Sequence, residues 1–231
     1  MNWNNPLKPA ELTENRLIDA IMEGHFSIGS NLPAERELAD QLGVTRPTLR
    51  EALQRLARDG WLEIHQGKST RVRDYWHEGN LGVLGAIARR STNLPEDFVP
   101  DLLFVRQLLA PTYARLAVEN EPENVMSALD GYAQLPELPQ AFASFDWQLH
   151  HRLTVLSGNP IFTLILNGFS SLYQPMACIY FDSIHSRHNS RAFYAELYSA
   201  ARTSDPHAAE EITLRVMKDS LSIWQTTIKG G

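Results

Sequence analysis

The chain has 231 residues, 43% hydrophobic and 21% charged, which excludes disordered and fibrous proteins and predicts two domains. Its one cysteine, Cys178, excludes an internal disulfide framework and a cysteine-rich zinc site, and it fits a reducing cytoplasm. The first residues lack the basic segment followed by an apolar stretch that is typical of a secretory signal peptide. No run approaches the roughly 18 apolar residues of a membrane span, so we expect a cytoplasmic protein that is neither exported nor inserted.

The distribution of charge matters more than its sum. The net charge of −6 taken alone argues against a nucleic-acid-binding protein. Residues 46–73, however, hold seven Lys or Arg side chains against three Asp or Glu, and most of the excess acid lies after residue 76. A focused basic surface on an acidic body favours sequence-selective DNA binding over indiscriminate binding.

Two helices are predicted before residue 45. Apolar residues recur at helical spacing over residues 10–23, and Gly24 follows as a natural stop. After a turn-rich stretch, Pro33 is well placed to open a second helix, which ends at Gly43. This second helix is short.

A third helix and a hairpin complete the first domain. Thr45 is a good N-cap, and Pro47 sits in the first turn of the helix that follows. A short helix, a tight turn and a helix with a polar, basic start form the helix-turn-helix pattern, whose second helix enters the major groove. Residues 61–64 and 69–73 alternate around a Gly-containing turn and predict a β-hairpin wing. We therefore predict a winged helix-turn-helix DNA-binding domain over residues 1–77, against the alternative of a structural domain with solvated arginines.

Three segments of this domain resemble the DNA-binding domain of the GntR family of bacterial regulators: LPAERELA (32–39), GVTRPTLREAL (43–53) and LARDGWL (56–62). Four later segments are similar to the effector domain of the fatty-acid-responsive branch of that family: SGNPI (157–161), LILNG (164–168), LY (172–173) and YF (180–181). The resemblance covers most of the chain. It implies a homodimeric transcription factor that binds an inverted-repeat operator and regulates fatty-acid metabolism, with long-chain acyl-CoA as the effector that changes its DNA affinity.

The resemblance also implies which residues contact DNA. Carried over by position, these are Ala34, Arg36, Thr45, Arg46, Thr48, Arg50, Gly67 and Lys68. Two positions depart from the branch, since Pro47 replaces a threonine and Gln66 replaces a histidine of the wing. Operator preference is therefore expected to differ in detail.

The second domain, residues 78–231, is predicted to be an all-α antiparallel helical bundle, which makes the whole protein mainly α. Its apolar residues follow helical spacing without sustained period-two alternation. The Gly-Asn-Pro at 158–160 and the Ser-Asp-Pro at 204–206 separate successive helices. Bundles place ligand sites in the core between helices, so polar residues within apolar faces are the candidates for effector binding.

Arg106 is the clearest such residue, because it interrupts a run of apolar side chains. A buried guanidinium needs an anionic partner. The residues alone leave open whether that partner is an internal carboxylate or the anionic end of an effector. The resemblance favours the ligand, because it aligns Arg106, Tyr180, Ser220 and Trp224 with an acyl-CoA pocket. For Tyr180 and Trp224 taken singly, core packing is the alternative.

A metal site is the competing hypothesis within the family. Asp146 and His150 lie four residues apart on one helical face, as in the metal-dependent branch, where the effector would be a metal-bound small carboxylate. The two further histidines that complete such a site are missing from the late helices, so we expect no metal and no cofactor. His151, His185 and His188 are expected to be solvated.

Two other classes of protein have less support. The chain contains no G-x-S-x-G, P-loop, G-x-G-x-x-G or H-E-x-x-H motif, and Cys178 lies in an apolar stretch typical of a buried thiol. We therefore predict that the protein is not an enzyme. A purely architectural DNA-binding protein would not need so large a second domain.

Overall fold

The computed structural model describes residues 8–65, 67–90 and 94–229. It is mainly α, as predicted, and its contacts divide the chain between Ala86 and Ile87. The predicted boundary at residue 77 falls earlier. The difference arises because the next residues pack on the first unit: the Asn80 amide donates to the Arg58 carbonyl oxygen at 3.1 Å.

The first unit is a small three-helix core with a hairpin. Its elements in chain order are α1 (Pro9–Met22), α2 (Glu35–Leu42), α3 (Arg46–Asp59), β1 (Leu62–Glu63), β2 (Arg71–Val72) and α4 (Tyr75–Glu78). Helix α1 packs on α3, and their contact buries Leu17, Ile18, Leu49 and Leu53. A further helix, α5 (Leu81–Ala88), spans the division between the units.

The starts of α2 and α3 differ in how closely they follow the predictions. Helix α3 begins as predicted, because the Thr45 hydroxyl accepts the Thr48 N–H at 3.3 Å and caps the helix. Helix α2 begins at Glu35, so the prediction that Pro33 opens it is wrong. Pro33 fixes its own φ but not the conformation of the residue that follows, and Ala34 stays extended at φ −56°, ψ 142°.

The wing is a two-stranded antiparallel hairpin in which Leu62 pairs with Val72 and Glu63 pairs with Arg71. Leu62 and Val72 are both fully buried, so this register turns the apolar side of the hairpin toward the three-helix core. The predicted wing is therefore confirmed. Gln66, one of the two departures from the family pattern, lies outside the described residues.

The second unit is a bundle of helices that are 8 to 24 residues long. After α5 its elements are α6 (Phe98–Asn120), α7 (Pro122–Leu129), a 3-10 turn (Tyr132–Gln134), α8 (Pro139–Leu156), α9 (Pro160–Asn167), α10 (Ser170–Asp182), α11 (Ile184–Arg202) and α12 (Pro206–Lys229). Helix α6 packs along α12, α8 packs on α10, and α11 packs on α12. The breaks predicted at 158–160 and 204–206 are confirmed, since α9 and α12 each begin at the proline of the motif.

The core of this bundle is aromatic and aliphatic, with Phe142, Leu153, Tyr194 and Leu197 at zero exposure. Across the described residues, no helix combines the length and hydropathy that a membrane crossing requires.

Candidate functional site

The first candidate site is the start of α3. Thr45 and Thr48 are joined through their hydroxyl groups at 2.8 Å, and this contact closes the first turn of the helix. Arg46 follows the cap and is exposed, and Arg50 is exposed one turn later. The helix therefore presents hydroxyl and guanidinium groups at its N-terminal end, where a recognition helix meets base edges and phosphates.

The cations of this surface fall into two groups. Arg36, Arg46 and Lys68 have no hydrogen bond or ion pair with any described residue, so their charges are available to an anionic partner. Arg50 is different, because its Nε donates to Glu35 Oε2 at 2.7 Å.

Three other arginines of the basic segment have internal partners. Arg55 pairs with Glu51 at 2.7 Å, Arg71 donates to the Gly29 carbonyl oxygen at 3.1 Å, and Arg73 lies 3.8 Å from Glu78. The charge surplus counted along residues 46–73 therefore overstates the free positive charge. A count of charges along the sequence does not distinguish an arginine that bonds to a group inside the protein from one that is free in solvent.

The wing tip supplies the last two predicted contacts. Gly67 has φ +74°, a left-handed conformation that side chains with a Cβ rarely adopt. The following backbone N–H of Lys68 donates to the His65 carbonyl oxygen at 3.3 Å, which closes the turn and leaves the Lys68 side chain exposed. Of the eight predicted DNA contacts, Thr48 is half-buried and the others are exposed. Their role in DNA binding remains a prediction.

The second candidate site is a cavity of about 120 Å³ inside the second unit. Its walls come mainly from α6, α9, α10 and α12, and most of the side chains that line it are leucine, isoleucine, valine, methionine or phenylalanine. All four residues predicted for effector binding, Arg106, Tyr180, Ser220 and Trp224, line this cavity. The structure thus brings together residues that lie more than a hundred positions apart in the chain.

Arg106 already has an anionic partner inside the protein. Its Nη2 donates to Asp146 Oδ2 at 3.0 Å and to the Tyr173 hydroxyl at 3.2 Å. Within the chain the internal carboxylate therefore neutralises the guanidinium, and the preference for a ligand anion stays a prediction. Asp146 also accepts hydrogen bonds from Tyr173 and, at 2.9 Å, from Tyr194.

This cluster keeps its charges at neutral pH. Burial acts to raise the pKa of Asp146, but the facing groups His150 and Arg106 outweigh it, so the pKa of the carboxyl is lowered. At neutral pH Arg106 is the charged partner of Asp146, because burial and Arg106 lower the pKa of His150 to about 3 and its imidazole is then neutral. For Arg106 burial opposes ionisation, whereas Tyr173 and Asp146 raise the pKa of the guanidinium. The cavity wall thus contains an ion pair without net charge, in which the buried Arg106 Nε has no hydrogen-bond partner among the described residues.

Tyr180 and Ser220 form a second polar contact on the wall, and Trp224 lines the same cavity. The hydroxyl groups of Tyr180 and Ser220 lie 3.2 Å apart, and Ser220 also donates to the Val216 carbonyl oxygen at 2.8 Å. Trp224 is 3% exposed. Core packing and cavity lining are therefore compatible for Tyr180 and Trp224, since Tyr180 is half-buried, Trp224 is buried and both border the cavity.

Asp146 and His150, the alternative metal ligands, lie close together, but the carboxylate of Asp146 already accepts hydrogen bonds. His150 Nε2 lies 3.8 Å from Asp146 Oδ1, while both carboxylate oxygens accept hydrogen bonds from other residues. The Tyr113 hydroxyl is 2.7 Å from His150 Nδ1. Within residues 8–65, 67–90 and 94–229, no group of three His, Cys, Asp or Glu side chains could hold a metal ion. His185 and His188 are exposed and His151 is half-buried.

Sequence reasoning missed the partners that complete both sites. It did not identify Glu35 beside Arg50, nor Tyr173 and Tyr194 around Asp146. Helical periodicity indicates which face a residue occupies but not which distant helix meets that face. The tyrosine at 173 stood within a segment that resembles the family, which was the one available signal.

Comparison with known families assigns both units. Residues 9–72 match the family described as bacterial regulatory proteins, gntR family, and residues 73–229 match the FadR C-terminal domain. Together the two matches cover most of the described chain. Both matches are to regulators rather than enzymes.

Curated relatives of similar length match along most of the chain. Proteins named fatty acid metabolism regulator protein from Shewanella pealeana and Shewanella oneidensis are each 44% identical, covering 85% and 87% of this chain and 82% and 84% of their own. The protein of the same name from Shewanella denitrificans is 46% identical over 85% of this chain and 82% of its own.

A solved structure shares the fold. Lar, described as controlling expression of the Listeria monocytogenes agr system, aligns with a TM-score of 0.63 over 96% of this chain and 99% of its own. At 14% identity this likeness concerns the fold alone.

Proposed function

The chain belongs to the gntR family of bacterial regulatory proteins and carries a FadR C-terminal domain, and on that premise we propose that it regulates fatty-acid metabolism through operator binding that long-chain acyl-CoA modulates. The relatives from Shewanella carry the name fatty acid metabolism regulator protein. Their similarity extends over both units, which supports the same role here. The protein is proposed to act as a homodimer, because two-fold dimers read inverted half-sites.

The observation that carries the acyl-CoA proposal is the apolar cavity beside Arg106. A hydrocarbon chain leaves water at a gain of about 0.8 kcal/mol for each buried CH₂ group. Leucine, methionine and phenylalanine side chains of α6, α9, α10 and α12 offer it an apolar wall. The pairing of Arg106 with Asp146 makes this wall neutral, and an uncharged acyl chain suits a neutral wall better than a free carboxylate does.

The size of the cavity constrains how a long chain would enter. An apolar cavity of about 150 Å³ accepts benzene, so 120 Å³ accommodates only a segment of a long acyl chain. Met176 and Met217 line the cavity, and their unbranched side chains adapt readily to a new neighbour. Binding of a long chain therefore requires these walls to rearrange, and a ligand that prefers the rearranged state shifts the population toward it.

Filling the cavity with a side chain tests this proposal. Ala177 lines the cavity from α10, so Ala177→Phe should occupy the space that the acyl chain needs. The variant should bind an operator duplex as the parent does but should no longer be released by palmitoyl-CoA. Fluorescence anisotropy of a labelled duplex measures both properties at matched salt.

The control for this variant is Ser171→Phe, which adds the same ring at an exposed position of α10. It should respond to palmitoyl-CoA like the parent. Overpacking costs roughly 1–3 kcal/mol, so the unfolding midpoint is recorded for each variant. Undiminished release of Ala177→Phe by palmitoyl-CoA would contradict the cavity as the acyl site.

A further inference from the structure

We propose that Glu35 is a positioning residue for DNA readout, which holds the guanidinium of Arg50 in place on the recognition helix. The inference rests on the DNA-binding function of the family. It concerns a residue outside the eight predicted DNA contacts and gives it a role of its own.

The geometry joins the two helices of the helix-turn-helix. Glu35 is the first residue of α2, and its Oε2 accepts the Nε–H of Arg50 in α3 at 2.7 Å. This bond engages only the Nε of the guanidinium. The two Nη groups remain as a fork of donors, the arrangement with which arginine binds a guanine edge or a phosphate.

The ion pair is too exposed to act mainly on stability. The side chain of Arg50 is 65% exposed to solvent and that of Glu35 is 40% exposed. Ion pairs this exposed contribute little to the free energy of unfolding. Its effect is expected on the mobility of Arg50 instead. A side chain already held in one orientation loses less entropy when it binds, so the matched sequence gains affinity.

The gain in selectivity belongs to the oriented fork of Arg50. DNA that lacks the matched base gains little from this fork. The negative charge of Glu35 faces the phosphates of either duplex, so the charge itself weakens both affinities alike. Arg36 and Arg46 have no ion pair with any described residue, so among these three arginines the effect belongs to Arg50.

A mutant cycle on the full-length protein tests the proposal. The probes are a duplex that the parent enriches from a random pool and a duplex of the same length with scrambled sequence. Glu35→Gln should lower the ratio of the two affinities by about threefold to tenfold, with an unchanged unfolding midpoint. In an Arg50→Ala background the same substitution should leave the ratio unchanged.

Glu37→Gln is the matched control, because it removes an exposed acidic charge from the same turn of α2 without a contact to Arg50. It should shift both affinities alike and preserve their ratio. Equal changes in the ratio for Glu35→Gln and Glu37→Gln, or a full Glu35→Gln effect without Arg50, would overturn the proposal. If the parent protein enriches no sequence from the pool, the DNA-binding function itself is overturned. This outcome distinguishes a failure of the proposed function from a failure of the role of Glu35.

Discussion

Folding removes the imidazole of His150 from water completely. This burial, together with the positive charge of Arg106, lowers the pKa of the imidazole from 6.5 to about 3, against the opposing pull of Asp146. The Tyr113 hydroxyl contacts Nδ1, and the Phe193 ring stacks on the imidazole. The unfolded chain binds a proton near pH 6.5, whereas the folded chain does so only near pH 3. The folded state therefore loses stability as the pH falls between those values.

A pH series on one variant checks this residue. The parent should lose up to about 2 kcal/mol of unfolding free energy from this side chain between pH 6.5 and pH 5. His150→Gln keeps a hydrogen-bonding partner for Tyr113 but does not titrate, so it should flatten the pH dependence of thermal unfolding followed by circular dichroism. His185→Gln, at an exposed position, should retain the parent slope. The same slope in His150→Gln as in the parent would mean that the imidazole is not held neutral.

At the scale of the secondary-structure element, local signals predict the ends of α3 and fail at the start of α2. Thr45 caps α3 because its hydroxyl reaches a backbone N–H within the same turn, and Gly60 ends it because φ +98° suits glycine. Both properties belong to single residues and their neighbours. The start of α2 depends instead on the extended conformation of Ala34, which the preceding proline does not determine.

Two properties favour glycine at position 60, its positive φ and the close approach of the backbone at Gly79, and substitutions can distinguish them. A Cβ at Gly60 would lie 2.9 Å from the Gly79 Cα, whereas a Cβ at Gly24, also with positive φ, meets nothing within 4 Å. Gly24→Ala should therefore cost about 1–2 kcal/mol from backbone conformation alone. Gly60→Ala should cost clearly more. Denaturant unfolding of the full chain measures the difference, and equal costs would refute the close backbone approach.

At the scale of the whole molecule, the division into a DNA-binding unit and a helical unit is predictable, but their completed sites are not. Helical spacing and turn residues indicate the winged helix-turn-helix and the bundle. The cavity is formed by residues between 99 and 224. Of the residues predicted for it, Arg106 was indicated by its place within an apolar run, whereas Tyr180, Ser220 and Trp224 came from resemblance. Arg106 and Asp146 are 40 positions apart, so their pairing depends on how α6 packs on α8.

The dependence of operator release on acyl-chain length tests the central claim most directly. Labelled operator bound to the full-length protein is titrated with acyl-CoAs from short to long, with free coenzyme A as the control, and release is followed by anisotropy. If the chain is buried in the cavity, each added pair of CH₂ groups should lower the concentration needed for release by up to about tenfold until the site is full. Release that does not vary with chain length, or that free coenzyme A achieves equally well, would contradict the acyl-CoA proposal and leave DNA binding intact.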